Sequence, residues 1–314
     1  MTAAHPAGQG SRPRWVDLRR RAEAALSAIP VAAPTSEARW IVERASGLEG
    51  TELVLHEDEP ATRQAVAHFE VMLRRRRNGE PLGYVLERWS FRGIDLLVDG
   101  RVLLPRPETE VVAQVAIDEA VRLGAHRGRD NPWSTAPDPL RVADLGTGSG
   151  ALALALAAEL PDAEVWATDV SEDAIAVARA NLAGTAQAAT RIRLMGGSWY
   201  DALPSELAGR FDLIVSNPPY VAEKEVADLP PEVAHHEPLT ALVSGPTGLE
   251  GIEAVVRGAT AWLTPHGVVV CELAPHQSDD ATTLARDAGF TSVRVEPDLA
   301  GRRRVLVGRR GQTD

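Results

Sequence analysis

The sequence predicts an α/β fold, an open and mostly parallel sheet with helices on both faces, preceded by a small helical domain. Three observations lead there. From Leu140 onward, apolar strand-like runs alternate with helical patterns, as in βαβ units. Residues 15–86 carry three helical patterns and almost no strand signal. Two turn motifs, Gly146-Thr147-Gly148-Ser149-Gly150 and Asn217-Pro218-Pro219-Tyr220, each follow an apolar strand, where open α/β sheets place their chemistry.

The elements follow in order. Residues 1–14 are polar and bear Pro and Gly, without the apolar core of a signal peptide; they are expected to be disordered. Residues 16–29 have apolar positions at helical spacing. Pro34-Thr35-Ser36 offers a cap before a helix over 37–46, which Gly47 ends. Pro60 suits the first turn of a third helix over 61–77. That helix closes on Arg74-Arg75-Arg76-Arg77, where cations complement the helix dipole and face solvent. The helical domain therefore spans 15–88, and the second domain 89–314. Residues 90–97 and 101–104, joined by Asp99-Gly100, read as a connecting β-hairpin over 90–104. A helix follows over 108–123, then a Pro- and Gly-bearing surface loop over 124–138. Strands are expected at 140–144, 164–168 and 211–216. A closing pair at 292–295 and 304–307 is close enough in sequence to run antiparallel. No internal repeat is present.

Composition narrows the function. The chain has 314 residues, enough for a full α/β core plus a smaller domain. No apolar run approaches the ~20 residues needed to span a bilayer. The net charge of −11 argues against direct nucleic-acid binding, which favours a basic face. The single cysteine, Cys271, excludes an internal disulfide and fits a reducing cytoplasm. It sits in the apolar run Val268-Val269-Val270-Cys271 and reads as a core residue. No Cys/His cluster has metal-ligand spacing, and His235-His236 reads as a solvated turn. The chain is read as a monomer.

The glycine turn also fits the dinucleotide spacing Gly146-x-Gly148-x-x-Ala151. Two features oppose that reading. Asp144 precedes the first glycine, where a carboxylate repels a pyrophosphate but can hold an ammonium group; and the turn lacks the lysine of a P-loop. A ligand with an amino acid end and a ribose end fits better, and S-adenosylmethionine has both. Its site would comprise Asp144, Leu145, Gly146, Thr147 and Gly148. Asp169, about 20 residues past the glycines, has the spacing of a carboxylate that binds ribose hydroxyls; it also suits a cap before the helix near Ser171. Trp199 follows the third strand and is assigned to the adenine, or to the core. Asn217-Pro218-Pro219-Tyr220 suits a planar –NH2 group, with oxygens for its two hydrogens and a ring for its face.

Together the two motifs resemble class I methyltransferases that modify amide or exocyclic amino nitrogens. Further stretches are similar to the release-factor glutamine methyltransferase family. They are Glu80-Pro81-Leu82-Gly83-Tyr84, Pro105-Arg106-Pro107-Glu108-Thr109-Glu110, Glu237-Pro238-Leu239-Thr240-Ala241-Leu242 and Asp298-Leu299-Ala300-Gly301-Arg302. The likeness runs from about Ser36 to Gly308. The Pro-Arg-Pro-Glu-Thr-Glu run is its most specific part, since in the sister family that methylates a ribosomal protein the stretch departs after Pro-Arg. Cys271-Glu272-Leu273-Ala274-Pro275-His276-Gln277 departs from the family's Glu-His/Ile-Gly pattern.

The resemblance implies a Rossmann-like class I methyltransferase with a seven-stranded sheet. Its substrate would be the glutamine of the Gly-Gly-Gln loop of peptide chain release factors, and its helical domain would recognise that protein. Asn217, Pro218 and Tyr220 would be catalytic and, with Pro219, bind the target amide; Asn217 would also touch the donor. Glu108 and Glu110 would lie near the site, or serve only as first-turn acids of a helix. No general base is assigned. The alternatives are a glutamine of another protein, an amino group of adenine or cytosine in nucleic acid, and a non-catalytic binding module. The last conflicts with the presence of Asp144, Asp169 and Asn217 together.

Overall fold

The computed structural model describes residues 12–130 and 139–311. They divide into two compact units, with the boundary between Glu87 and Arg88.

The first unit is helical: α1 (Trp15–Leu26), α2 (Pro34–Ser46), α3 (Thr51–Leu55), α4 (Arg63–Arg77) and α5 (Leu82–Leu86). α2 begins at Pro34, three residues before the predicted start, because proline is pre-set for the first helical position. Gly47, at φ 75°, ends it as expected. α4 begins later than predicted. Thr62 caps it by accepting the Ala65 N–H at 3.1 Å, and Pro60 instead pairs with Arg14 in an isolated bridge. α3 and α5 are single turns, too short to show periodicity. Phe69, Met72 and Leu73 of α4 are buried with Leu18, Ala22, Ile41 and Leu53. The arginine run at the end of α4 is not simply solvated. Arg76 is buried, with Nε and Nη2 donating to Glu37 at 2.6 and 3.1 Å, while Arg75 donates to Glu80 and to the Tyr84 carbonyl. Only Arg74 and Arg77 are exposed.

The second unit opens with a hairpin of β1 (Trp89–Phe91) and β2 (Ile94–Leu96). Its turn is Arg92-Gly93, with φ of 47° and 75°, and not Asp99-Gly100. Asp99 Oδ1 accepts the Arg101 N–H at 3.0 Å, which makes a local Asx-type turn and no second strand. α6 (Pro107–Asp130) runs seven residues past the predicted end and takes up 124–130 of the expected loop. The remainder of that loop, 131–138, and most of the predicted disordered start lie outside the described residues.

The main sheet contains β3 (Leu140–Leu145), β4 (Ala163–Asp169), β5 (Ile192–Gly196), β6 (Phe211–Ser216), β9 (Leu263–Glu272), β10 (Ser292–Pro297) and β11 (Arg303–Arg309). The short β7 (Val221–Ala222) and β8 (Val243–Gly245) pair separately. The seven strands lie in the order β10-β11-β9-β6-β3-β4-β5. β9, β6, β3, β4 and β5 are mutually parallel, and β11 is antiparallel to both β9 and β10. Helices α7 (Ala151–Glu159), α8 (Glu172–Ala183), α9 (Ala186–Ala189), α10 (Pro231–His236), α11 (Glu250–Trp262) and α12 (Ser278–Asp287) complete the unit. The central strands are buried on both faces, so they read as continuous apolar runs. Cys271 is a buried free thiol within one of them. His235 and His236 end the short α10 rather than lying in a loop. From β3 the chain proceeds to β4 and β5 on one side, then to β6 and β9 on the other. The strand order thus reverses between β3 and β6, where such sheets bind ligands at their carboxyl edge.

Candidate active site

Strand register builds the site. Leu145 of β3 pairs with Thr168 of β4 and with Ser216 of β6, and Ser216 pairs with Cys271 of β9. The next residue of each strand therefore falls in one row across the sheet edge: Asp169, Gly146, Asn217 and Glu272. Two predicted site motifs, the predicted Asp169 and one further residue, Glu272, are brought together by backbone pairing alone. The Ser216 hydroxyl donates to the Leu145 carbonyl at 2.6 Å, which ties the ends of β3 and β6.

The glycine turn leaves β3 sharply. Gly146, Gly148 and Gly150 have φ of 75°, 57° and 83°, conformations that suit glycine. The Gly146 and Thr147 N–H groups donate to the Thr168 carbonyl at 2.8 and 2.9 Å. Asp144 lies beneath the turn, fully buried. Its Oδ2 accepts from the Thr147 hydroxyl at 2.6 Å and the Ala153 N–H at 3.1 Å, fixing the turn to the start of α7. Burial pushes its carboxyl up to about 7, against those hydrogen bonds. Its Oδ1 has no hydrogen-bond partner among the described residues. Asp169 accepts the Gly148 N–H at 2.8 Å and the Ser171 N–H at 2.9 Å. The helix cap itself is Ser171, whose hydroxyl accepts the Ala174 N–H. Burial raises Asp169 as well.

A cavity of about 190 Å³ opens over this edge. Its walls include Gly146, Thr147, Gly148, Asp169, Trp199, Asn217 and Pro219. Trp199 is half-buried and lies against Gly146; a Cβ added there would stand 3.6 Å from its ring. Its φ of 44° is unusual for so large a residue, a strain of the kind that functional sites retain. The ring meets both the cavity and the core cluster. Asp144, Leu145, Pro218 and Tyr220 do not form the wall. Asp144 is withdrawn because Thr147 and Ala153 claim it, and the Leu145 carbonyl is engaged by Ser216.

The Asn217–Tyr220 segment is held from behind. Gln277 Nε2 donates to the Tyr220 and Gly248 carbonyls at 2.9 and 3.0 Å, and its Oε1 accepts the Ala274 N–H. α11 approaches so closely at Gly251 that a Cβ there would stand 2.7 Å from the Pro219 carbonyl oxygen. The Tyr220 hydroxyl donates to Glu272 Oε1 at 3.3 Å, and burial raises its pKa strongly. Asn217 Nδ2 donates to Thr109 Oγ1 at 3.2 Å, and the Thr109 hydroxyl donates to Glu272 Oε2 at 2.8 Å. Asn217 Oδ1 is buried without a partner among the described residues. Thr109 and Glu272 were missed in the sequence. Thr109 was passed over for its acidic neighbours, which turn elsewhere: Glu108 accepts from Arg302 and Glu110 from the Arg92 N–H. Glu272 follows the apolar run Val268-Val269-Val270-Cys271 as Asn217 follows the run that closes at Ser216, and that equivalence is the available signal.

Cavity, row and sheet order define a Rossmann-like methyltransferase. The comparisons agree. A family model described as "Methyltransferase small domain" matches residues 133–235, and one described as "PrmC N-terminal domain" matches residues 17–86. A release factor glutamine methyltransferase of Cereibacter sphaeroides is 37% identical, covering 94% of this chain and 98% of that relative. Its namesake from Bordetella pertussis is 37% identical over 88% of this chain and 94% of that protein. The chain belongs to the release factor glutamine methyltransferase family. Among solved structures, the hMettl16 catalytic domain in complex with MAT2A 3'UTR hairpin 1 shares the fold, with a TM-score of 0.54 and 17% identity over 79% of this chain and 81% of that one.

Proposed function

We propose that this enzyme transfers a methyl group from S-adenosylmethionine to the side-chain amide nitrogen of the glutamine in the Gly-Gly-Gln motif of peptide chain release factors. One observation carries the reading. Asn217 Oδ1 is a buried acceptor without a partner among the described residues, on a residue of the cavity wall and beside the glycine turn. An unpaired buried acceptor costs about 1–3 kcal/mol, a cost that a bound N–H group relieves.

The donor fits the chain's own groups. Asp144 lies beneath the cavity wall and does not reach the donor; through Thr147 and Ala153 it fixes the glycine turn, whose Gly146, Thr147 and Gly148 would receive the donor's amino acid end. Asp169 keeps acceptor capacity toward ribose hydroxyls beyond its two backbone bonds. Trp199 offers a flat face beside Gly146 for an adenine ring. The sulfonium of the donor supplies an already electrophilic methyl carbon.

What the chain must add is an aligned nucleophile, because the amide lone pair is delocalised. Asn217 Oδ1 binds an N–H of the target and aims the nitrogen. Such positioning accounts for roughly 7–11 kcal/mol of a barrier. As positive charge develops on the nitrogen, the same oxygen holds it more tightly than in the ground state. Pro218 and Pro219 stiffen the segment. Tyr220 stands behind the wall, its hydroxyl on Glu272, and completes the frame rather than the surface. The helical unit recognises the release factor, and the reaction belongs to the cytoplasm. No described helix is long and apolar enough to cross a membrane.

Mass spectrometry of a release factor and of duplex DNA, each incubated with enzyme and labelled donor, tests the reading. Label on the Gly-Gly-Gln glutamine alone is expected; label on DNA bases instead would assign the enzyme to nucleic acid.

A further inference from the structure

Glu272 is fully buried at the carboxyl end of β9, and no step above uses it. Both of its oxygens are engaged. Oε2 accepts the Thr109 hydroxyl at 2.8 Å, and Oε1 accepts the Tyr220 hydroxyl at 3.3 Å. Thr109 Oγ1 in turn accepts from Asn217 Nδ2 at 3.2 Å. A hydroxyl has a single hydrogen, and a carboxylate can only accept. With Glu272 ionised, that hydrogen must point to Glu272, and Thr109 meets Asn217 lone pair first. Only the NH2 end of the Asn217 amide can satisfy it. The oxygen end then faces away from Thr109, where it is buried and without a partner among the described residues.

We propose that Glu272 is a positioning residue of this site: through the Thr109 hydroxyl it locks the Asn217 amide with its oxygen toward the target nitrogen. The proposal rests on the reading of Asn217 as acceptor for the substrate amide. The two ends of an amide have nearly the same shape, so a hydrogen-bond network and not packing must choose between them. A flipped Asn217 would confront the incoming NH2 with another NH2 and forfeit the hydrogen bond. The lock has a long lever arm in sequence, since Thr109 lies on α6, Asn217 after β6 and Glu272 on β9. Strand register supplies the precision, because Ser216 and Cys271 are paired. Burial pushes the Glu272 carboxyl up to about 7, with Thr109, Arg304 and Tyr220 acting to lower it, so above that pH it is the acceptor the lock needs.

Glu272→Gln is nearly isosteric but can donate to Thr109. That frees the hydroxyl hydrogen for Asn217 Oδ1 and permits the flip. The test uses the full chain at pH 8.5, with turnover on a release factor, donor affinity by calorimetry and melting measured for each variant. Glu272→Gln is expected to lower kcat about 30-fold, equivalent to about 2 kcal/mol, while KM for the release factor and donor affinity change less than about threefold, or about 0.7 kcal/mol. Thr109→Val is expected to match it, and Thr109→Ser to recover most of the loss. The double variant Glu272→Gln/Thr109→Val is expected to be no slower than either single one, since one break already opens the lock. Asn217→Ala runs alongside. If it is inactive while folded Glu272→Gln keeps wild-type turnover, or if the two single losses multiply in the double variant, the lock is overturned. Should Glu272→Gln fail to fold, equal losses in Thr109→Val and Thr109→Ser overturn it as well. A fully active Asn217→Ala sinks the underlying reading of Asn217 instead, a separate outcome.

Discussion

Arg106 and Glu237, 131 residues apart, are joined by an ion pair in which one guanidinium nitrogen reaches both carboxylate oxygens, at 2.6 and 2.7 Å. Each belongs to a segment that walls the cavity, through Pro105 on one side and Pro238, Thr240 and Ala241 on the other. The pair therefore fastens the segment after α10 to the segment before α6. Glu237 is almost wholly buried, and burial raises its pKa despite Arg106.

Removing Arg106 should loosen that wall. Arg106→Ala leaves Glu237 buried and unpaired, and the segment must open to hydrate it. Donor affinity is expected to fall about tenfold, or about 1.4 kcal/mol, with the fold retained. Calorimetry of donor binding checks this, and unchanged affinity would show that the pair does not shape the cavity.

Asp169→Ala should weaken donor binding by about 1.5–3 kcal/mol, the usual worth of hydrogen bonds to a charged group. Asp169 also receives the Gly148 and Ser171 N–H groups, so a lowered melting temperature is expected too. Normal affinity in a folded variant would remove Asp169 from the donor site.

Glu272 should make stability depend on pH in a defined direction. Its folded pKa is raised from 4.5 to about 7, chiefly by burial, so its contribution is fully present below about 4.5 and is lost as pH rises through about 7. Glu272→Gln removes that dependence. The variant's melting temperature, relative to wild type, is thus expected to be higher at pH 8 than at pH 5. A difference that stays constant across that range would mean the carboxyl is not shifted upward.

The helical unit should serve the protein substrate and not the donor. A chain beginning at Arg88 is expected to bind S-adenosylmethionine normally and to lose most activity on an intact release factor. Equal rates for the shortened and full chains would assign the helical unit another role.

The strands and both turn motifs were legible because buried parallel strands are apolar throughout and end abruptly in polar or glycine residues, as at Leu145-Gly146 and Ser216-Asn217. What escaped depends on partners far away in sequence. The hairpin turn falls at Arg92-Gly93, and not at the better-suited Asp99-Gly100, because Arg92 is held by Glu110, Gln114 and Glu159. Arg76 reads in the sequence as one more surface cation, because its buried partner Glu37 lies on a different helix 39 residues away. Thr109 carries no signal of its own; only the register that sets Glu272 beside Asn217 gives its hydroxyl a purpose.

Turnover of Asn217→Ala on a release factor, followed as methylation of the Gly-Gly-Gln glutamine, tests most directly whether Asn217 Oδ1 orients the target nitrogen. The side chain stands at a strand end and lines the cavity, so the variant is expected to fold and bind donor. Turnover is expected to fall about 10²–10³-fold, as with loss of one preorganised polar contact elsewhere. A folded, donor-binding Asn217→Ala enzyme that still methylates glutamine near the wild-type rate would contradict the account.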